Sequence, residues 1–457
     1  MKTAVVWFRR DLRLHHNPAL TAAARAADRV VPVFVWAPHE EAPWAPGAAS
    51  RWWLHHSLAA LGRSLDRLGA PLVIRAGESA TVLSQLARQT GADTVYWNRL
   101  YEPAVRARDR VVEDALQRVG IGVETFNAAL LVEPHTMANA QGEPYRMFTP
   151  FWRAAGQRIW EQEPEAAPRK LLAAAASSDG LDSLGLLPKI RWDRVMEATW
   201  RPGEAGALAT LDTFCDEALS GYARQRDFPG ERGTSRLSPH LHFGEIAPVQ
   251  IVARLAALQA RGVGGAGAET FLKELGWREF AHYLLWHFPH TAEAPLDARF
   301  EKFPWRKPAP GELRAWQRGR TGLPIVDAGL RELWATGWMH NRVRMVVASL
   351  LTKNLLLPWQ EGARWYWDTL VDADLANNTL GWQWTAGCGA DAAPFFRIFN
   401  PVLQSKKFDP RGAYLRRWLP ELNDLPDEAL HQPRPGAIID LAASRARALE
   451  AFSKIKN

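Results

Sequence analysis

Cysteine is nearly absent from this 457-residue chain, which has only Cys215 and Cys388. Two widely separated thiols exclude a disulfide framework and a cysteine-based metal site, and they fit a reducing compartment. Long apolar runs are missing too. The amino end, MKTAVVWFRRDLRL, has five apolar residues in succession before charge intervenes. It predicts neither a signal peptide nor a membrane anchor, and the expectation is a cytoplasmic protein. Lysine is scarce, supplying 11 of the 56 basic residues against 45 arginines, in a chain of net charge +7. Arginine is the better fork for phosphate oxygens, so the basic excess is compatible with nucleic acid without identifying it. The histidine pairs His55/His56 and His240/His242 have no acid or cysteine at ligand spacing, and no metal site is expected.

What is present is an ordinary globular composition, 47% hydrophobic and 23% charged, on a chain long enough that two domains are expected. Short apolar segments at 3–8, 30–36, 71–75, 94–97 and 121–126 alternate with helical patterns, one begun by Asn17 and Pro18 and others at 50–68, 79–89 and 103–119. The alternation predicts an α/β domain over residues 1–130, built on a doubly wound parallel sheet that would take a ligand at the carboxyl ends of its strands. Residues 131–200 hold six prolines, from Pro134 to Pro188, without sustained periodicity, and read as an interdomain connector. From 201 to 457 helical patterns dominate, at 205–220, 247–261, 268–287, 324–336, 338–354, 361–371 and 440–453, so an all-α domain is expected. GVGGAG at 262–267 matches GxGxxG but follows a helix instead of a strand, and reads as a helix-to-helix loop.

Tryptophan, at 22 residues, is the compositional oddity, and many of them sit beside polar residues where core packing would favour Leu or Ile. The run Asp372–Pro401, DADLANNTLGWQWTAGCGADAAPFFRIFNP, concentrates this. Asp372, Asp374, Asn377 and Asn378 lie with Trp382 and Trp384 in a mostly uncharged stretch, and buried polar groups need partners. A flat, nitrogen-rich ligand on which tryptophans stack would supply them, whereas a helix with aromatic core residues accounts for the tryptophans alone. Upstream, ERGTSRLSPHLHFGEI offers hydroxyls at Thr234, Ser235 and Ser238 beside a helix start, suited to a phosphate or to a simple cap. Glu274, Trp277 and Arg278 fall at i, i+3 and i+4 on one helix face. Trp338, Asn341, Arg342 and Met345 are placed on another, with Arg344 adjacent. RLSPH lacks the small flanking residues of a nucleophile elbow, so Ser238 is not read as a hydrolase nucleophile.

VVWFRRDLRLHHNPAL, TSRLS, WREF, TGLPIVDA, GWMHNRVRM and the Asp372–Pro401 run together resemble, in order, the photolyase/cryptochrome family, and most of all its bacterial cyclobutane pyrimidine dimer photolyases. The resemblance implies the α/β domain followed by an all-α FAD-binding domain. It assigns FAD to Tyr222, the loop Thr234, Ser235, Arg236, Leu237 and Ser238 at the diphosphate, Trp338, Asn341, Arg344, Asp372, Asp374 and Asn378. Asp372 would pair with Arg344 beside the ring, Asp374 would lie near the ring edge or ribitol, and Asn378 would face N5. A pocket of Glu274, Trp277, Asn341, Arg342, Met345 and Trp384 would take an extruded dimer, with Glu274 bonded to the bases. Arg226, Arg342 and Arg397, with Lys406, Lys407 and Arg411, are the expected phosphate contacts. Trp382, Trp359 and Trp305 would carry electrons inward from the surface, with Trp316 competing for the place of Trp305. The implied reaction is electron transfer from excited, reduced FAD to the dimer, in a monomer whose partner is damaged DNA, with no membrane and no obligate protein partner.

A second, antenna chromophore is also implied. RWWLHHSLAALGRSLDRLG is similar to plant cryptochromes and the photolyases related to them, which points to folate, with deazaflavin or flavin as alternatives. Two other family functions compete with dimer repair. The (6-4) photolyases carry histidines in the helix that here reads WMHNRVRM, which Asn341 and Met345 argue against; plant cryptochromes, blue-light sensors without repair activity, tend to have an acid where this chain has Asn378. A cofactor-free helical nucleic-acid-binding protein would leave the Asp/Asn/Trp run unexplained.

Overall fold

The computed structural model describes residues 1–160, 162–307, 310–392 and 396–456. The first apolar run is wholly buried and forms β1 (Thr3–Phe8) at the centre of a five-stranded sheet. With β2 (Arg29–Trp36), β3 (Val73–Ala76), β4 (Thr94–Asn98) and β5 (Gly122–Phe126) the strand order is β3-β2-β1-β4-β5, and every pairing is parallel. Helices α1 (Pro18–Ala26), α2 (Ala48–Leu68), α3 (Ser79–Thr90) and α4 (Pro103–Arg118) alternate with the strands. Cover on both faces is why the central strands read as unbroken apolar runs and not as alternating ones. Asn17 starts α1 as expected, its side chain accepting from Leu20 N. The chain proceeds from β1 to one side and returns to the other at β4. A crevice therefore opens at the carboxyl ends of β1 and β4, where doubly wound sheets take ligands.

After residue 200 the described structure is helical. The Leu375–Ala386 helix packs against both Gly265–His287 and Trp359–Thr369, and Pro324–Thr336 packs on Asn341–Ser349. Two expectations need correction here. The expected 338–354 helix starts only at Asn341: Gly337 adopts a left-handed φ of 68° that ends the preceding helix, and the His340 side chain accepts from Arg342 N as the new cap. It changes at Leu350 to a π-helical turn, Leu350–Asn354. Trp338 is therefore not on the helix that carries Asn341 and Arg342. The glycine-rich GVGGAG is a loop only to Gly264; Gly265 and Gly267 already belong to the next helix, and Gly267 lies so close to Leu219 O that a Cβ would overlap it.

Residues 131–200 are tied to both halves. The short helix Phe148–Ala155 buries Phe148 and Phe151 against the Gly265–His287 helix, Ala173 bridges to Val30 of β2, and Met196 and Trp200 join the core beneath α2. The two halves are locked by buried polar contacts. Arg13, only 1% exposed, donates to Gly244 O and Ala128 O, both at 2.8 Å, and Trp53 Nε1 donates to Glu245 at 3.0 Å. Among the described residues no helix is long and apolar enough to cross a membrane.

Candidate functional site

Three separated segments converge on Asp372, which is 8% exposed. Arg344 Nη2 donates to both its oxygens, at 2.8 and 3.0 Å, the Ser238 hydroxyl donates to Oδ2 at 2.6 Å, and Trp338 Nε1 donates to Ser238 Oγ at 3.3 Å. Arg236 has a left-handed φ of 55° and lays its guanidinium 4.6 Å from Trp338 and 4.8 Å from Trp200; its Nε is buried without a hydrogen-bond partner. Thr234 and Ser235 are half-buried, and Leu237 is buried. Tyr222 is buried against Phe214 and Phe271, with Arg226 5.5 Å from its ring; burial raises its phenol pKa. Burial also drives His340 down to about 3, keeping its ring neutral and able to accept from the helix it caps.

Asp374 and Asn378 begin the Leu375–Ala386 helix. Asp374 caps it, accepting from Asn377 N at 2.9 Å, and its other oxygen lies 3.4 Å from His282 and 3.7 Å from His242. Burial opposes its charge, yet these histidines outweigh burial and hold the carboxyl well below the usual range. Its carboxylate faces a cavity lined by Arg10, Tyr101, Glu102 and Arg278, at the junction with the sheet's carboxyl edge. His240 and His242, which have no acid at metal-ligand spacing in the sequence, meet Glu245 and Asp374 in the fold. Glu102, His282 and Asp374 also bring ligand atoms within 4.8 Å of one another, but each acid already has a partner: Arg10 lies 2.8 Å from Glu102, and His282 and His242 lie against Asp374. Asn378 is half-buried and donates to Ala363 O at 3.0 Å.

Of the residues expected at the lesion pocket, Arg342 lines an open cleft among the described residues, and the others are held as follows. Glu274 is paired with Arg226 and not with Arg278, whose guanidinium turns away to Ala129 O at 2.8 Å. Trp277 stacks on Phe148 at 3.8 Å. Arg342 donates to Asp227 at 2.7 Å and lies 4.4 Å from the Phe408 ring. It lines an open cleft of about 740 Å³ together with Arg224, Arg397, Phe399, Leu403 and Lys407. The ring of Trp384 lies 6.5 Å from that of Phe399, which lines the cleft; on the Asn341–Ser349 helix Asn341 is exposed and Met345 half-buried. Lys406 and Arg411 are not among the residues lining it.

Trp382 is 2% exposed, with Tyr366 at 4.9 Å and Trp316 at 6.3 Å. Trp359 is equally buried in the same core, at the start of the helix whose Gly362 makes room for the Trp382 ring. Trp305 is half-buried against Phe303 at 4.4 Å, whereas Trp316 is fully buried and so cannot meet a soluble reductant itself. Asp227, His242 and His282 carry site electrostatics that no local pattern announced, because their partners come from distant segments.

A sequence profile for the DNA photolyase family matches residues 4–169, and one for the FAD binding domain of DNA photolyase matches residues 271–454. The chain is 45% identical to a deoxyribodipyrimidine photo-lyase of Agrobacterium fabrum, over 100% of this chain and 99% of that one. The chain belongs to the photolyase/cryptochrome family. Its backbone is similar to the crystal structure of a bacterial class III photolyase from Agrobacterium tumefaciens, with a TM-score of 0.95 at 44% identity, covering 100% and 98% of the two chains. It is also 41% identical to cryptochrome-1 of Arabidopsis thaliana, over 94% of this chain and 64% of that one. Within the family its helical half is the FAD-binding domain. The residues fit a flavin: an orphaned Arg236 Nε and the Ser238 loop offer donors to phosphate, while Arg344 and Asp372 form a fixed polar pair beside Trp338.

Proposed function

We propose that the protein repairs cyclobutane pyrimidine dimers in DNA in a light-dependent reaction, with FAD held by Tyr222, the Thr234–Ser238 loop, Trp338, Asn341, Arg344, Asp372, Asp374 and Asn378. The observation that carries this reading is the division of labour on one helix: Arg344 faces the Asp372 cluster, while Arg342, two residues earlier, faces the cationic cleft. Cofactor and DNA would then meet across a single helix. Bound, reduced FAD would supply on excitation the electron for splitting the cyclobutane ring and would take it back afterwards. The chain's own residues do the rest. Arg224, Arg342, Arg397 and Lys407 hold phosphates, and Glu274 hydrogen-bonds the extruded bases, which Trp277 and Trp384 flank. Arg226 and Asp227 keep Glu274 and Arg342 in place until DNA arrives. Trp305, Trp359 and Trp382 form the electron path from solvent.

We also propose a folate antenna in the cavity at the strand ends lined by Arg9, Phe34, Trp36, Leu54, Arg108 and Trp367. The proposed division of the chain is 1–130, 131–200 and 201–457, in a monomer of the cytoplasm. Kinship to cryptochrome-1 supports a second reading, a light sensor without repair. Illuminating dithionite-reduced holoprotein with a dimer-containing oligonucleotide separates the two: restored thymines support repair, and none at all with a full complement of FAD leaves the sensor. Protein lacking any flavin absorbance would sink both.

A further inference from the structure

Trp277 has one face of its indole covered. Phe148 lies on it at 3.8 Å with the two rings 10° apart, and Trp152 lies 6.1 Å from Phe148, again 10° from parallel. Trp152 in turn closes on Gly276, where a Cβ would overlap its ring. Phe148 is buried and is the first residue of the Phe148–Ala155 helix. The side chain of Met147 before it makes no capping hydrogen bond, so the helix start has no acceptor of its own. The acceptor comes from 243 positions away: the Phe148 N–H donates to Asp391 Oδ2 at 3.0 Å, a carboxylate placed at the positive end of the helix.

Asp391 stands in the loop that leaves the Leu375–Ala386 helix, which carries Trp384. The N–H groups of Gly387, Cys388 and Gly389 all donate to Gln383 O, at 2.9, 3.0 and 3.1 Å, and wind this loop tightly onto the helix end. Asp391 has a left-handed φ of 56°, which Asp and Asn tolerate better than most residues with a side chain. One carboxylate thus ties the loop that follows Trp384 to the ring stacked behind Trp277.

We propose that Asp391 is a positioning residue for lesion recognition: by fixing Phe148 it sets Trp277 at the spacing from Trp384 that a pyrimidine dimer needs. It acts through Phe148 and Trp277 and not by contact with the bases. The proposal rests on the photolyase reading, in which the two tryptophans flank the extruded bases.

The test is dark binding of FAD-loaded protein, by fluorescence anisotropy, to a duplex carrying one thymine dimer and to the same duplex undamaged. Asp391→Gly accepts the left-handed backbone but removes the acceptor; it should weaken dimer binding about fivefold and undamaged binding less than about twofold, with full FAD content. Asp391→Asn keeps both an acceptor oxygen and the backbone preference, and should stay within about twofold of wild type on the dimer. Added to Trp277→Ala, Asp391→Gly should cost less than about twofold more, because the ring it positions is gone. The full fivefold loss on that background, equal loss on both duplexes, no loss at all, an Asn variant as weak as the Gly variant, or FAD lost in step with dimer affinity overturns the proposal. If wild-type protein binds damaged and undamaged duplex equally, the photolyase reading falls first and takes the proposal with it.

Discussion

The hydroxyl of Ser238 donates to the carboxylate of Asp372 at 2.6 Å, joining residues 134 positions apart. Arg344 takes the same carboxylate from another segment, so the Thr234–Ser238 loop cannot shift without disturbing the Arg344–Asp372 ion pair. Ser238, whose hydroxyl the sequence offers to a phosphate or to a helix cap, braces Asp372 in the fold.

Asp372→Asn leaves Arg344 without its counter-charge while keeping the side-chain shape. Because Arg344 retains some solvent, the stability loss should fall at the low end of the about 3–5 kcal/mol that breaking a buried pair costs. FAD retention should fall with it. Urea unfolding and flavin absorbance per protein check both; full flavin content in the variant would mean that the pair does not serve the cofactor.

Glu274→Ala should weaken repair more than it weakens FAD binding. It removes a hydrogen-bonding group from the proposed lesion pocket, a loss of about 1–3 kcal/mol, or roughly 5- to 150-fold in affinity for damaged DNA. It also frees Arg226, its partner in this structure, for phosphate. Affinity for undamaged DNA should therefore hold or rise slightly. Parallel loss of repair and of FAD would assign Glu274 a structural role.

Trp382→Phe should abolish light-driven reduction of bound FAD in the presence of a thiol, yet leave repair by chemically reduced protein largely intact. Phenylalanine keeps most of the packing area but is far harder to oxidise. Gly362→Ala attacks the same ring sterically, because a Cβ there would overlap it. It should cost about 1–3 kcal/mol of stability without changing the redox residue. Normal photoreduction in Trp382→Phe would remove this tryptophan from the electron path.

His340 makes stability depend on pH in a defined direction. Its folded value, depressed to about 3 by burial, lies below the ordinary value of the unfolded chain. The unfolded state therefore binds a proton that the folded state refuses, and stability present above about pH 6.5 declines as pH falls toward the folded value, by about 1.4 kcal/mol per unit. His340→Asn retains a capping side chain without titration. Between pH 6.5 and 5 it should lose about 2 kcal/mol less than wild type in urea unfolding. Identical acid sensitivity would show that His340 is not buried neutral.

Much of the fold was legible because its signals are local. The apolar runs at 3–8 and 94–97, the Asn17-Pro18 start and the intervening helical periods predict a parallel α/β sheet that the structure contains. The helix over 338–354 was misread at its start, since a left-handed Gly337 and a histidine cap do not interrupt apolar periodicity. The site residues were legible chiefly as a set that resembles a family, and their pairings much less so.

By itself the sequence determined the order of strands and helices and the family, because periodicity, caps and motif spacing are properties of neighbouring residues. Only the tertiary structure decided who pairs with whom. Glu274 meets Arg226, 48 residues away, in preference to Arg278 at i+4, and Asp374 meets His242 and His282. It also decided that Trp316 is sealed while Leu403 is bare. Charge pairing and exposure follow from distance and desolvation in three dimensions, and a one-dimensional spacing does not contain them.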